Sequence, residues 1–151
     1  MRFRRYDPAE FAELYAVEER CFQPPYRFSR SYLREIMAST TSATWVAEQD
    51  AIVGFGVVEW SGDSHRLLAY IQTIEVLPEC RRTGVASELM RLLEQAAEEA
   101  GAELIWLHVD QDNAAAIRLY ESHGYLQKGR EENYYPRSRA ALIYSKELAR
   151  R

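Results

Sequence analysis

The sequence predicts an α/β domain: a mixed, mostly antiparallel central sheet of about seven strands flanked by about four helices. Three observations carry that prediction. Short β-branched and aromatic runs recur along the chain, bounded by Gly, Pro, Asn and Asp. Between them lie segments of helical period, the clearest repeating Val85, Leu89, Leu92, Leu93, Ala96 and Ala100. Most of the 7 Gly and 5 Pro fall at turns between such segments, so the 151 residues read as a single domain over 1–151.

Each element has a local reason. A first strand over Phe3–Tyr6 leads to Asp7-Pro8, an N-cap with proline at the first helical position. The helix that follows carries Phe11, Leu14, Tyr15, Val17 and Glu18, and Gln23-Pro24-Pro25-Tyr26 breaks it. Ser29 caps a second helix with Tyr32, Leu33 and Ile36 on one side. Strands are predicted at Thr44–Glu48 and Ile52–Trp60, where Gly54 and Gly56 suggest a bulge or a close backbone approach. A turn at Ser61-Gly62-Asp63-Ser64 precedes a strand over Leu67–Leu77, which Pro78 ends. The long helix stops at Gly101. A strand over Leu104–Val109, a helix over Asn113–Ser122 capped by His123-Gly124, and strands at Tyr125–Glu131 and Ala140–Ser145 complete the order β-α-α-β-β-β-α-β-α-β-β.

Composition narrows the function. Nineteen Lys and Arg against 23 Asp and Glu give a net charge of −4, so no global field favours nucleic acid or anionic lipid. No apolar run approaches the ~20 residues of a membrane span, and the basic start Met1–Arg5 has no apolar stretch behind it, so no signal peptide is expected. Cys21 and Cys80 form no CxxC pair, and the three histidines have no zinc-site spacing. A reduced, cytoplasmic protein is expected.

The most informative stretch runs from Ile74 to Ser87. A strand ends at Pro78, and a basic turn, Arg81-Arg82-Thr83-Gly84-Val85-Ala86, opens the long helix. Free backbone amides and the positive end of a helix dipole suit a diphosphate, provided Gly84 and Ala86 let it approach. On these residues alone, an anion cradle and an ordinary basic loop both remain open. The Walker and dinucleotide glycine patterns are absent.

The pattern V-x-P-x-x-R-R-x-G-x-A between a strand and a long helix resembles motif A of the GNAT superfamily of acetyl-CoA-dependent N-acetyltransferases. The stretch Leu107–Tyr125, with Asn113, Leu119-Tyr120 and Gly124-Tyr125, resembles that superfamily's second block. Within it, the chain is most similar to protein N-terminal acetyltransferases, the ribosomal-protein alanine type included. The resemblance implies the GNAT fold and acetyl transfer from acetyl-CoA to a primary amine by direct attack. The implied acceptor is the α-amine of a protein or peptide N-terminus. A small-molecule amine acetyltransferase (acting on a polyamine, amino acid or antibiotic) and a non-catalytic acyl-CoA sensor are the alternatives. Neither nucleic acid nor membrane is expected as partner, and the protein is expected to be a monomer or homodimer.

The resemblance also implies roles. Tyr120 corresponds to the general acid beside the thioester sulfur. Ribosomal-protein alanine acetyltransferases usually have Glu where His108 stands; some eukaryotic N-terminal acetyltransferases have His there and Tyr at the position of Tyr70. His108, directly or through water held by Tyr70, is the implied base, with Glu75 in reserve. The backbone of Ile74, Glu75 and Val76 is implied for the pantetheine and acetyl carbonyl. Arg81, Arg82, Thr83, Gly84, Val85, Ala86 and Ser87 are implied for the diphosphate, and Asn113 for a side-chain contact. Phe22, Pro25 and Tyr26 resemble one wall of a peptide groove, Tyr134 and Tyr135 the other.

Overall fold

A computed structural model describes residues 1–63 and 65–148. Strand β1 (Arg2–Arg5) leads through a 3-10 turn (Pro8–Glu10) to helices α1 (Phe11–Cys21) and α2 (Arg30–Ala38). Strands β2 (Ser42–Gln49), β3 (Ala51–Gly62) and β4 (Leu67–Val76) follow, then α3 (Val85–Ala100), β5 (Leu104–Asp110), α4 (Ala114–Ser122), β6 (Leu126–Tyr135) and β7 (Arg139–Glu147). The seven strands form one sheet in the order β1-β2-β3-β4-β5-β7-β6. Every neighbouring pair is antiparallel except β4 and β5. This is the expected mixed sheet with four helices.

Local chemistry accounts for most boundaries. Asp7 accepts from the Ala9 amide while Glu10 accepts from the Asp7 amide, a capping box that opens the 3-10 turn rather than α1 itself. Ser29 accepts from the Tyr32 amide at the start of α2, and Gly101 closes α3 in the left-handed region. The expected turn before β4 spans Ser61–Ser64, of which Ser64 lies outside the described residues. Two expectations are corrected. β6 runs on to Tyr135, four residues further than alternation alone suggested. Tyr32 does not pack with Leu33 and Ile36: those two are buried, whereas Tyr32 is exposed.

Two buried clusters hold the helices to the sheet. One joins Phe11 and Leu14 of α1 and Leu33 of α2 to Val46 and Phe55. The other joins Met90 and Leu93 of α3 to Ile105, Leu107, Tyr120 and Tyr144. Gly56 lets α3 settle closely, because a Cβ there would stand 2.9 Å from Leu93 Cδ1.

Two carboxyls lie in the first region of the core. Glu18 is fully buried and Glu75 is 3% exposed. Glu18 accepts from the Phe28 amide at 3.0 Å, and Glu75 accepts from the Thr73 hydroxyl at 2.8 Å. Burial first, then the neighbouring Glu18, holds the Glu75 carboxyl well above the usual carboxylate range. The native state therefore keeps a proton that the unfolded chain has lost, and stability falls as pH rises through the interval between the two pKa values. Glu75→Gln is expected to match wild type in melting temperature at about pH 4 and exceed it at about pH 8. Each unit of pKa difference corresponds to about 1.4 kcal/mol. Thermal unfolding followed by circular dichroism at both pH values checks this; a variant that melts lower at the higher pH would refute the protonated pair.

Candidate active site

β4 and β5 pair only at Leu68–Leu104, Ala69–Ile105 and Tyr70–Trp106. Beyond those three pairs the strands part, although β3 holds β4 as far as Val76 and β7 holds β5 as far as Asp110. A bulge lies at the point of parting: Val57 pairs with Thr73 and Val58 with Ile71, leaving Gln72 as an extra residue in β4. A bulged strand bends and twists away from its neighbour. The backbone of Ile71–Val76 is left with a free edge toward β5, and a cleft of about 1340 Å³ opens there.

The cleft gathers most of the predicted side chains. Tyr70, His108, Tyr120 and Asn113 line it, along with the backbone at Ile74. Phe22, Pro25 and Tyr26 approach from the loop after α1, which contains the cis Pro24–Pro25 bond; Tyr134 and Tyr135 approach from the end of β6. The Tyr26 hydroxyl donates to the Pro136 carbonyl at 3.3 Å, linking the two walls.

His108 is the most constrained group in the cleft. The Tyr70 hydroxyl lies 2.8 Å from its Nδ1, and Glu131 Oε2 lies 2.8 Å from its Nε2. Tyr134 stacks on the imidazole with centroids 4.1 Å apart and planes 10° from parallel, and Trp106 lies 5.2 Å away. The His108 side chain is 11% exposed. Burial first, then the neighbouring Tyr134, pushes the Tyr70 phenol well above its ordinary value, so Tyr70 keeps its proton.

Tyr120 is the buried residue of α4, and burial pushes its phenol up to about 12. It remains a proton donor at any ordinary pH. Glu75 does not line the cleft: its carboxyl is buried in the core beside Glu18.

The turn before α3 forms a separate part of the site, outside the cleft lining. Gly84 adopts φ +85°, and no side chain caps the first turn of α3, whose first described helical bond is Glu88 N–H to the Gly84 carbonyl. The amides of Val85, Ala86 and Ser87 are the helix's unpaired N-terminal donors. A Cβ at Gly84 would meet no atom within 4 Å, so the space beside these amides is open. These features fit a phosphate-bearing ligand. Three side chains differ from the simple expectation of free anion contacts. Arg81 turns back to donate to the Val76 carbonyl at 2.9 Å. The Thr83 hydroxyl donates to the Cys80 carbonyl, and Ser87 Oγ lies 2.8 Å from His123 Nε2. Asn113 accepts from the Ala116 amide as the N-cap of α4, leaving its side-chain NH₂ for other contacts.

Several cleft residues escaped the sequence reading. Trp106 had a signal, since it lies two positions before His108 on one strand face. Glu59, Gln72 and Tyr32 had none: Gln72 donates to Glu59 and accepts from Tyr32, a contact made only by the fold. Glu131 likewise stands in an ordinary charged run. Among the described residues no group of three or more His, Cys, Asp or Glu is arranged to hold a metal ion, and no helix is long and apolar enough to cross a membrane.

The cleft between the parted strands and the uncapped N-terminus of α3 are the two parts of the candidate site. Comparison with known proteins names the class. Residues 11–125 match the model of the acetyltransferase (GNAT) family, and the chain belongs to that family. It is 40% identical to the [Ribosomal protein bS18]-alanine N-acetyltransferase of Escherichia coli (strain K12) over 68 residues. That match spans 45% of this chain and 46% of the relative, so the aligned part is about half of either protein. The crystal structure of the ribosomal-protein-S18-alanine N-acetyltransferase from Escherichia coli has the same fold. Its TM-score is 0.86 at 23% identity, over 99% of this chain and 95% of that one. The fold is shared too by Arabidopsis thaliana NAA60 in complex with a bisubstrate analogue (TM-score 0.85, 19% identity, 97% of each chain).

Gly84→Ala tests the cradle. The left-handed φ costs a side chain about 1–2 kcal/mol, read as a lower urea midpoint. Because the new Cβ enters the open space, affinity for coenzyme A is expected to fall roughly tenfold, about 1.4 kcal/mol. Calorimetry showing unchanged affinity would exclude this turn as the diphosphate site.

Proposed function

We propose that the chain is an acetyl-CoA-dependent N-acetyltransferase, acting as a single domain in the cytoplasm, whose acceptor is the α-amine of a protein N-terminus. The observation that carries this reading is the 2.8 Å contact between Tyr70 and His108 Nδ1 beside the free edge of β4. Acetyl-CoA supplies an activated acetyl group and a thiolate leaving group. The amides of Val85–Ser87, with Arg82, hold its diphosphate. The backbone of Ile74, Glu75 and Val76 holds its pantetheine arm through groups other than the Val76 carbonyl, which Arg81 occupies, and the Asn113 amide adds a side-chain donor.

The residues divide the proton work. As the amine nitrogen bonds to the acetyl carbon, Tyr70 takes the amine proton at its oxygen and passes its own to His108 Nδ1. Tyr120 gives its proton to the departing sulfur as the carbon–sulfur bond breaks; Tyr120 is then reprotonated from solvent and His108 releases its proton to solvent, which restores both groups. Tyr70 stays neutral throughout, as its burial requires. An α-amine, with a reference pKa of ~8 against ~10.4 for lysine, suits a histidine relay.

The acceptor wall supports a peptide. Phe22, Pro25 and Tyr26 face Tyr134 and Tyr135 across the cleft, supplying apolar area and hydroxyls that hold a backbone without reading its sequence. His108 in place of the usual glutamate argues against restriction to the ribosomal alanine substrate named for the Escherichia coli relative. Glu59 at the cleft favours a small cationic amine as the second reading.

Two experiments test this function. A panel of peptides and polyamines assayed with acetyl-CoA for thiol release is expected to show peptide α-amines as acceptors; reaction with polyamines alone would replace the primary reading with the second. Tyr120→Phe is expected to lower kcat by about 10²-fold or more while coenzyme A affinity stays within about twofold. Since the Tyr120 phenol lies near 12, its ionisation should produce no loss of kcat below about pH 11. His108→Ala is expected to lower kcat by about 10²-fold or more.

A further inference from the structure

We propose that Glu131 is a positioning residue for His108, fixing which imidazole nitrogen carries the hydrogen and neutralising the imidazolium that forms during turnover. The inference rests on His108 being the base, as argued above.

The geometry of β6 is the primary observation. Glu131 and Tyr134 are three positions apart, and on a regular strand they would project from opposite faces. Here both reach the same ring: Glu131 through the 2.8 Å contact with Nε2, Tyr134 through the 4.1 Å stack. The strand achieves this by losing its register. Glu131 pairs with Ala141 and Tyr135 with Arg139, so three residues of β6 oppose Ala140 alone. Asn133, in the middle of those three, adopts φ +55°. A left-handed non-glycine residue in a strand costs energy, and its result here is to bring an anion and an aromatic face onto one imidazole.

Hydrogen-bond inventory then sets the tautomer. An ionised carboxylate only accepts, so Nε2 must carry the hydrogen that Glu131 receives. Nδ1 is left as the lone-pair nitrogen, and the Tyr70 hydroxyl donates to it. The basic nitrogen therefore faces β4 and the amine, not β6. When His108 gains its proton at Nδ1, Glu131 is the carboxylate in contact with the resulting cation. This is the logic by which a carboxylate orients a histidine in other enzymes. Other titratable groups lie at the ring: Tyr70 on β4 and Tyr134 on β6 contact it, and Tyr135 packs edge-on against Tyr134. Asp110, two positions along β5, is paired with Arg139 of β7 and does not contact the ring. Glu131 is thus the charged group in contact with the imidazole among the described residues. Its side chain is 51% exposed, so solvent weakens the effect below that of a fully buried carboxylate.

Three variants and a spectrum test this. Glu131→Gln keeps an acceptor for Nε2–H but loses the charge; its ascending limb of kcat/KM is expected to move down by about half a pH unit, with a plateau about threefold lower. Glu131→Ala loses both, and the plateau is expected to fall about tenfold or more. Nitrogen-15 spectra of the histidine ring in wild type are expected to show hydrogen on Nε2, and in Glu131→Ala a mixture of both tautomers. A merely structural glutamate would change neither the limb nor the tautomer. In the His108→Ala background, Glu131→Gln should have no further effect, since Glu131 acts only through the ring. If His108→Ala turns over at the wild-type rate with an unchanged profile, the base assignment itself is wrong. If His108→Ala is inactive while both Glu131 variants keep the wild-type plateau, limb and tautomer, only the positioning role is overturned.

Discussion

Strands β4 and β5 hydrogen-bond at three residue pairs and then separate, and the rest of the molecule is arranged around that separation. Neither strand can close the gap, because each is held on its other side along almost its whole length, β4 by β3 and β5 by β7. The bulge at Gln72 sets where the gap begins, immediately after the Tyr70–Trp106 pair. Backbone amides and carbonyls at a parted sheet would ordinarily be a liability, since unpaired edges invite other strands. In this protein the free edge of β4 lines the cleft instead of meeting another strand. The same parting exposes the side chains of Tyr70 and His108 to a common space.

The parted edge leads directly to the N-terminus of α3. A protein with a net charge of −4 has little global attraction for a polyanion, so the attraction must be local. The start of α3 presents backbone amides that add no mobile charge, and a Cβ at Gly84 would meet nothing within 4 Å. Arg81 contributes indirectly: by bonding to the Val76 carbonyl it ties the turn to the end of β4. The helix is pressed against the sheet through Leu93 and Gly56, so its N-terminus is held at a fixed height over the strand ends.

Burial gives the titratable groups different protonation states. Tyr120 and Tyr70, both desolvated, remain protonated donors, and Glu75 keeps its proton against Glu18 in the core. His108 is positioned between the Tyr70 hydroxyl at Nδ1 and the Glu131 carboxylate at Nε2, so both ring nitrogens have a polar partner. Trp106 and Tyr134 pack against the His108 ring, whose side chain is 11% exposed.

The order of elements was legible in the sequence because each depends on local chemistry: Asp7, Ser29, Gly101 and Gly124 mark ends, and α3 shows its period plainly. The family motifs likewise pointed to Tyr70, His108 and Tyr120, since they lie on strands and helices with strong patterns. What stayed hidden has one physical character: it depends on contacts between elements far apart in the chain. Glu75 looked available as a base until the fold set it beside Glu18. Tyr32 looked like a core residue until α2 turned it toward Gln72. Glu131 carried no signal at all, because its meaning arises from the irregular pairing at Asn133, which no periodicity announces. Local propensity and motif spacing determined the sheet, the helices and the candidate site residues; only tertiary packing, through a bulge and a broken register, decided which of those groups touch.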